Sequence, residues 1–187
     1  MIDIEKLVQI VGYLLRKNNN RLNYTKLVKI LYLADRESYK TINHSMTGDL
    51  YYALPQGPIL SNLLDLIKGK SESKLQSYWD ARFSTDGYDL VSLSSNIPEG
   101  KLSKFEKRII DELDDKFHDK DFGYLIDYVH NKENCPEWHN PGVHSRCQIT
   151  DADILTSLGR TKEEVEIIEK DKASYEEEEI IIAALGN

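Results

Sequence analysis

The chain has 187 residues, 40% apolar and 30% charged, with a net charge of −8, which is the balance of a folded, water-soluble protein large enough for one domain with a real core. No apolar run approaches the ~20 residues that span a bilayer, and a pI near 5.2 argues against non-specific nucleic-acid binding, which needs a basic footprint. Two cysteines, Cys135 and Cys147, do not make a disulfide framework, so a reduced, cytoplasmic chain is expected.

The N-terminal segment MIDIEKLVQIVGYLL lacks the basic region and cleavage site of a signal peptide. It reads as an amphipathic helix from an Asp3 cap to Lys17, with Leu7, Val11, Leu14 and Leu15 on one face. NNNR breaks it. Asn23 can cap a second helix, YTKLVKILYLADRESYK, with Leu27, Ile30, Leu31 and Ala34 inward and antiparallel packing on the first.

The period then changes. DLYYALP reads as a strand, closed by Gly57 and Pro58, after which Leu60, Leu63, Leu64 and Ile67 recur at helical spacing up to a Gly69 cap. KSESK reads as an exposed loop. Asp86-Gly87 lies between two strand-like runs, near 80–85 and 88–93, and is a hairpin signal. A lone hairpin is marginal, so the 49–54 strand is expected to join it in one three-stranded sheet.

Ser103 and Glu106 form a capping box for a helix with Phe105, Ile109, Leu113 and Phe117 inward. Asp121 caps another, with Phe122, Leu125, Ile126 and Val129 inward. After an irregular stretch, Thr150 or Asp151 can cap a short helix ended by Gly159. Capping-box patterns at Thr161–Glu164 and Ser174–Glu177 predict two further helices in the tail.

Charge is unevenly spread. Residues 160–187 hold nine acids and four bases, and residues 16–40 hold seven bases and two acids. These are either solvated helix faces or surfaces that steer a partner.

Phosphate-binding loops and the nucleophile-elbow pattern are absent from the sequence, and His118-Asp119 reads as a surface pair. One cluster invites a metal reading: His130, Cys135, His139, His144 and Cys147 fall within 18 residues, and zinc prefers thiolate and imidazole ligands. Their spacing matches no common zinc pattern. The other reading is a loop with His130 and Trp138 packed inward and the remaining residues facing water. No cofactor is favoured. Asp35, Arg36 and Glu37 either make surface pairs or anchor the end of the second helix.

Residues 26–69 resemble the Panacea domain family, typified by SocA-type antitoxins and phage-associated proteins. The matching elements are Lys26, Leu27, Lys29, Leu31, Tyr32, Ala34 and Asp35, then Gly48, Asp49, Tyr51 and Ala53, then Gly57 and Pro58. A second signature resembles His130 to Trp138, here with wider spacing and Cys135 inserted. The resemblance covers roughly residues 3 to 140.

It implies an α+β, mainly α fold of five to seven helices around a small two- or three-stranded antiparallel sheet. Residues 1–148 would form the domain and 149–187 an acidic helical extension. It implies no catalysis. The expected function is that of an antitoxin neutralising a co-encoded toxin by direct binding, in some relatives as an adaptor to a protease. Lys29, Tyr32, Asp35, Asp49, Gly57, Pro58, His130 and Trp138 are the expected scaffold or partner-binding residues, with Asp35 and Asp49 bracing the Gly57-Pro58 corner. The alternatives are a zinc-dependent hydrolase built on residues 130–147 and a transcriptional autoregulator.

Overall fold

A computed structural model of the chain describes residues 2–94, 96–143 and 145–185. In chain order the elements are α1 (Ile4–Lys17), β1 (Arg21–Asn23), α2 (Tyr24–Ile42), β2 (Tyr51–Leu54), β3 (Gly57–Leu60), α3 (Ser61–Ile67), α4 (Ser73–Asp80), β4 (Phe83–Asp86), β5 (Asp89–Ser92), α5 (Lys104–Phe117), α6 (Phe122–His130), β6 (Cys147–Ile149), α7 (Asp151–Ser157) and α8 (Lys162–Leu185). The fold is α+β and mainly helical. Among the described residues it has eight helices, one above the expected range, and two small sheets in place of one.

α2 is the centre of the molecule. Its expected stripe, Leu27, Ile30, Leu31 and Ala34, is fully buried, and so are Tyr32 and Asp35 beside it. A helix covered on most faces needs partners on most sides. Here α5, α6, α7 and β3 supply them. Asn23 caps α2 by accepting the Thr25 and Lys26 N–H groups, and Asn43 ends it in the left-handed conformation, φ 58°. α1 buries Leu7, Val11, Leu14 and Leu15, as its spacing predicts, and Asp3 accepts from the Lys6 N–H. α5 keeps its capping box at Ser103 and Glu106. It is tied to the α1 side by Tyr13 donating to Asp111 and Asn18 donating to Asp114.

The strands depart from expectation. The 83–92 hairpin forms, but its third strand is β1, not residues 49–54. Positive φ at Asn19 and Asn20 turns the chain so that Arg21–Asn23 can lie along β5. β2 instead pairs on one side with β3 and on the other with β6, giving the order β3-β2-β6. Gly57 and Pro58 therefore begin a strand, and the helix starts only at Ser61.

Three helical expectations also change. Residues 73–80 form α4, because Trp79 buries its ring against Phe83, with centroids 4.5 Å apart. Phe122 is 48% exposed rather than inward, and Leu125 and Val129 carry the buried face of α6. The tail is one continuous helix. Ser174 donates back to the Lys170 carbonyl within α8 and so caps nothing.

Candidate functional site

Three segments named by their sequence motifs meet at one buried corner: α2, the β2–β3 hairpin, and residues 130–138. The meeting point is Gly57. Its φ is +100°, and a Cβ there would stand 2.6 Å from Val129 Cγ2 and 3.0 Å from Lys29 Nζ. Only glycine combines that backbone with so close an approach. Lys29 is buried and donates to the Pro58 carbonyl at 2.7 Å. Burial pushes its pKa down to about 7. Pro58 stands opposite Ala53 in a non-bonded pair, as the alternation from Ser61 N–H donating to the Leu50 carbonyl requires, so its missing N–H costs no ladder bond.

Asp35 lies nearly two turns beyond Lys29 on α2 and is fully buried. It accepts from Met46 N–H at 2.8 Å, Thr47 N–H at 2.9 Å, the Thr47 hydroxyl, and Tyr51 O–H at 2.9 Å. The segment leading into β2 is thereby pinned to α2. Burial raises the Asp35 pKa, and the donors from Thr47, Tyr51 and Met46 oppose that rise.

Asp49 does the work of a helix cap from a distance. α3 has no side-chain cap of its own, and Asp49 accepts from the Asn62 and Leu63 N–H groups, each at 2.9 Å, and from the Asn62 side chain. Burial pushes its pKa up to about 6, against the pull of those donors. The expected bracing by Asp35 and Asp49 thus acts on both sides of β2, while the Gly57 corner itself is held by Lys29.

Residues 130–138 close the corner. The His130 and Trp138 rings stack at 4.1 Å and 9°, and Trp138 Nε1 donates to the Leu54 carbonyl at 3.1 Å. His130 Nε2 is buried without a hydrogen-bond partner among the described residues. Burial first, and the nearby Lys29 charge second, lower its pKa. Glu137, whose side chain is fully buried, receives Arg36 through two bonds, Nε at 2.7 Å and Nη2 at 3.2 Å, and also the Tyr32 hydroxyl. Arg36 Nη2 reaches on to Ser157 Oγ at 3.3 Å, tying α7 to the same group.

The metal cluster does not assemble. Cys135 is in the core, its thiol pushed up to about 12 by burial, whereas Cys147 and His139 are exposed. His144 lies outside the described residues. No three His, Cys, Asp or Glu side chains among the described residues are placed to hold one ion. Cys135 also departs from the expectation that it faces water.

The expected residues Lys29, Tyr32, Asp35, Asp49, Gly57, Pro58, His130 and Trp138 all belong to this framework. Glu137 is the anchor that sequence reasoning missed, and for Arg36 that reasoning left a surface pair and a helix-end anchor both open. A signal existed, since Lys29, Tyr32 and Arg36 recur at i, i+3, i+7 and so share one face of α2. Of the Asp35-Arg36-Glu37 triad, the first two anchor, and Glu37 makes the surface pair with Lys40 at 3.5 Å.

Residues 27–139 match the family model described as antitoxin SocA-like, Panacea domain. The match covers more than half of the chain, which therefore belongs to that family. No curated protein and no solved structure matches it.

Proposed function

We propose that this Panacea-domain protein is an antitoxin that neutralises a co-encoded toxin by binding it directly, in the cytoplasm and without catalysis. The observation that carries the reading, beside the family match, is that the motif side chains are consumed in holding the fold. Lys29, Tyr32, Asp35, Asp49 and Trp138 are buried and engaged with each other's segments. Two groups of the corner that could react are held inert: the Cys135 thiol is pushed up to about 12, and the Glu137 carboxylate is bound by Arg36 and Tyr32. On this reading the motif residues are scaffold, and partner choice falls to exposed surfaces.

Residues 1–148 are taken as the family unit and 149–187 as an extension built onto it, through α7 packed on α2 and α8 packed on α7. The extension carries the acidic excess of the chain and suits a basic partner. Delivery of the toxin to a protease is the variant of this reading that rests on the family resemblance alone. No helix among the described residues is long and apolar enough to cross a membrane.

The test is co-expression of the chain with the product of the adjacent reading frame. The expected result is a complex that survives affinity and size-exclusion chromatography. Two proteins that elute separately would count against the proposal.

A further inference from the structure

The β3-β2-β6 sheet ends in a strand with an open edge. Ladder alternation says which groups face outward. Ser61 N–H donates to the Leu50 carbonyl, and Pro58, opposite Ala53, has no N–H to give. Leu50, Tyr52 and Leu54 therefore bond toward β3, and Tyr51 and Ala53 bond toward β6. Their partners on β6 are Ile149 and Cys147. The N–H and C=O of Gln148 consequently point away from the sheet. The next outward N–H, that of Thr150, is already taken by Asp153 at 2.8 Å.

A cleft of about 480 Å³ runs along this edge, between β6, α7 and residues 136–139. Gln148, Ile149, Asp153 and Thr156 line it, and among the described residues its lining contains no lysine or arginine. Of its carboxylates, Glu137 is neutralised by Arg36, which leaves Asp153. Outside the cleft, α8 packs on α7 and carries exposed Glu163, Glu164, Glu166 and Glu169, of which Glu166 is paired with Lys162 at 3.8 Å. The neighbouring Arg146 folds over the Tyr52 ring, 4.8 Å from its centroid.

We infer that the open edge of β6 is the toxin-docking site, and that it takes an extended, basic segment of the toxin as an added strand. The inference rests on the antitoxin reading. Unpaired backbone groups in a cleft select an extended backbone, and Asp153, with the acidic excess of the neighbouring extension, selects the sign of its side chains.

Gln148→Pro removes the outward N–H and leaves both inward pairs intact, a substitution that an edge strand tolerates. Thr85→Pro is the control in the other sheet. There Leu93 N–H donates to the Arg82 carbonyl, so alternation turns Thr85 outward on β4. Cys147 supplies a second readout, because its exposed thiol lines the cleft while Cys135 is buried and silent.

The experiment uses the full chain and the product of the adjacent reading frame. Gln148→Pro, folded by circular dichroism, is expected to weaken the complex by about tenfold or more, with Thr85→Pro unchanged. Alkylation of Cys147 by iodoacetamide is expected to be fast in the free protein and blocked in the complex. If the complex forms but Gln148→Pro binds normally and Cys147 stays reactive, the inference is overturned and the antitoxin reading stands. If Thr85→Pro weakens binding equally, the assignment to β6 is overturned. Protection of Cys147 in the free protein as its concentration rises would assign the edge to a second copy of this chain and overturn it too. If the wild-type chain does not bind at all, the antitoxin reading fails and the inference falls with it.

Discussion

The Lys29 amine donates to the Pro58 carbonyl at 2.7 Å, across the one glycine whose α-carbon leaves room for it. That bond joins the central helix to β3, the second strand of the β2–β3 hairpin, at a point where a left-handed backbone, close packing and a buried amine coincide.

Gly57→Val should destabilise the protein by about 3 kcal/mol or more. It adds overpacking against Val129 and Lys29 to a left-handed backbone that β-branched residues avoid. Urea denaturation of the two proteins checks this. A loss below about 1 kcal/mol would contradict the packing described at the corner.

Lys29 should make stability pH-dependent. The unfolded chain keeps the lysine proton up to about pH 10.5, while the folded chain releases it above about 7. The unfolded state then binds more protons, so folding stability rises with pH above 7, at no more than about 1.4 kcal/mol per pH unit. The comparison is cleanest between pH 7 and 9, below the region where the raised Cys135 thiol begins to oppose it. Relative to Lys29→Met, the wild type should gain stability across that window. Equal slopes for the two proteins would show that Lys29 stays protonated.

Glu137→Ala should cost about 3–5 kcal/mol, because it leaves the Arg36 guanidinium buried without its counter-charge. Replacing both partners, Arg36→Met with Glu137→Leu, should recover much of that loss. A double variant as unstable as the single one would locate the cost elsewhere, for example in the Tyr32 hydroxyl contact.

Much of this framework was legible in the sequence, for a physical reason. Helix α2 announces itself by an apolar stripe at 3.6 spacing and an asparagine cap, both local signals, and both hold. The Gly57-Pro58 pair was readable as a corner, but its neighbours were not. The third strand of each sheet, Arg21–Asn23 and Cys147–Ile149, is three residues long and carries too little alternation to be seen without its partner. Glu137 was hidden for a related reason. A single acid in a proline-rich stretch looks solvated until the fold places Arg36 and Tyr32 against it, 101 and 105 residues earlier in sequence. The Ser174 pattern misled because four-residue capping signals also occur inside long helices, and α8 runs through it for 24 residues, about 36 Å.

Deleting residues 174–187 should leave the domain folded. Val165 is the last buried side chain described in α8, Ile168 is half-buried, and Lys172 still reaches Asp151, whereas Ile167 and Tyr175 are 60% and 70% exposed. The expected change in Tm is less than about 3 °C. A larger drop would mean that the end of the helix packs back on the body. A folded truncation with weakened toxin binding would place that end in the interface.

The most direct measurement of the central claim is growth of cells that express the product of the adjacent reading frame, with and without this chain. Wild type should restore growth and co-purify with that product. Gly57→Val should do neither, and Thr85→Pro should do both. Cells that remain arrested while the wild-type chain is present, folded and in excess would contradict the account.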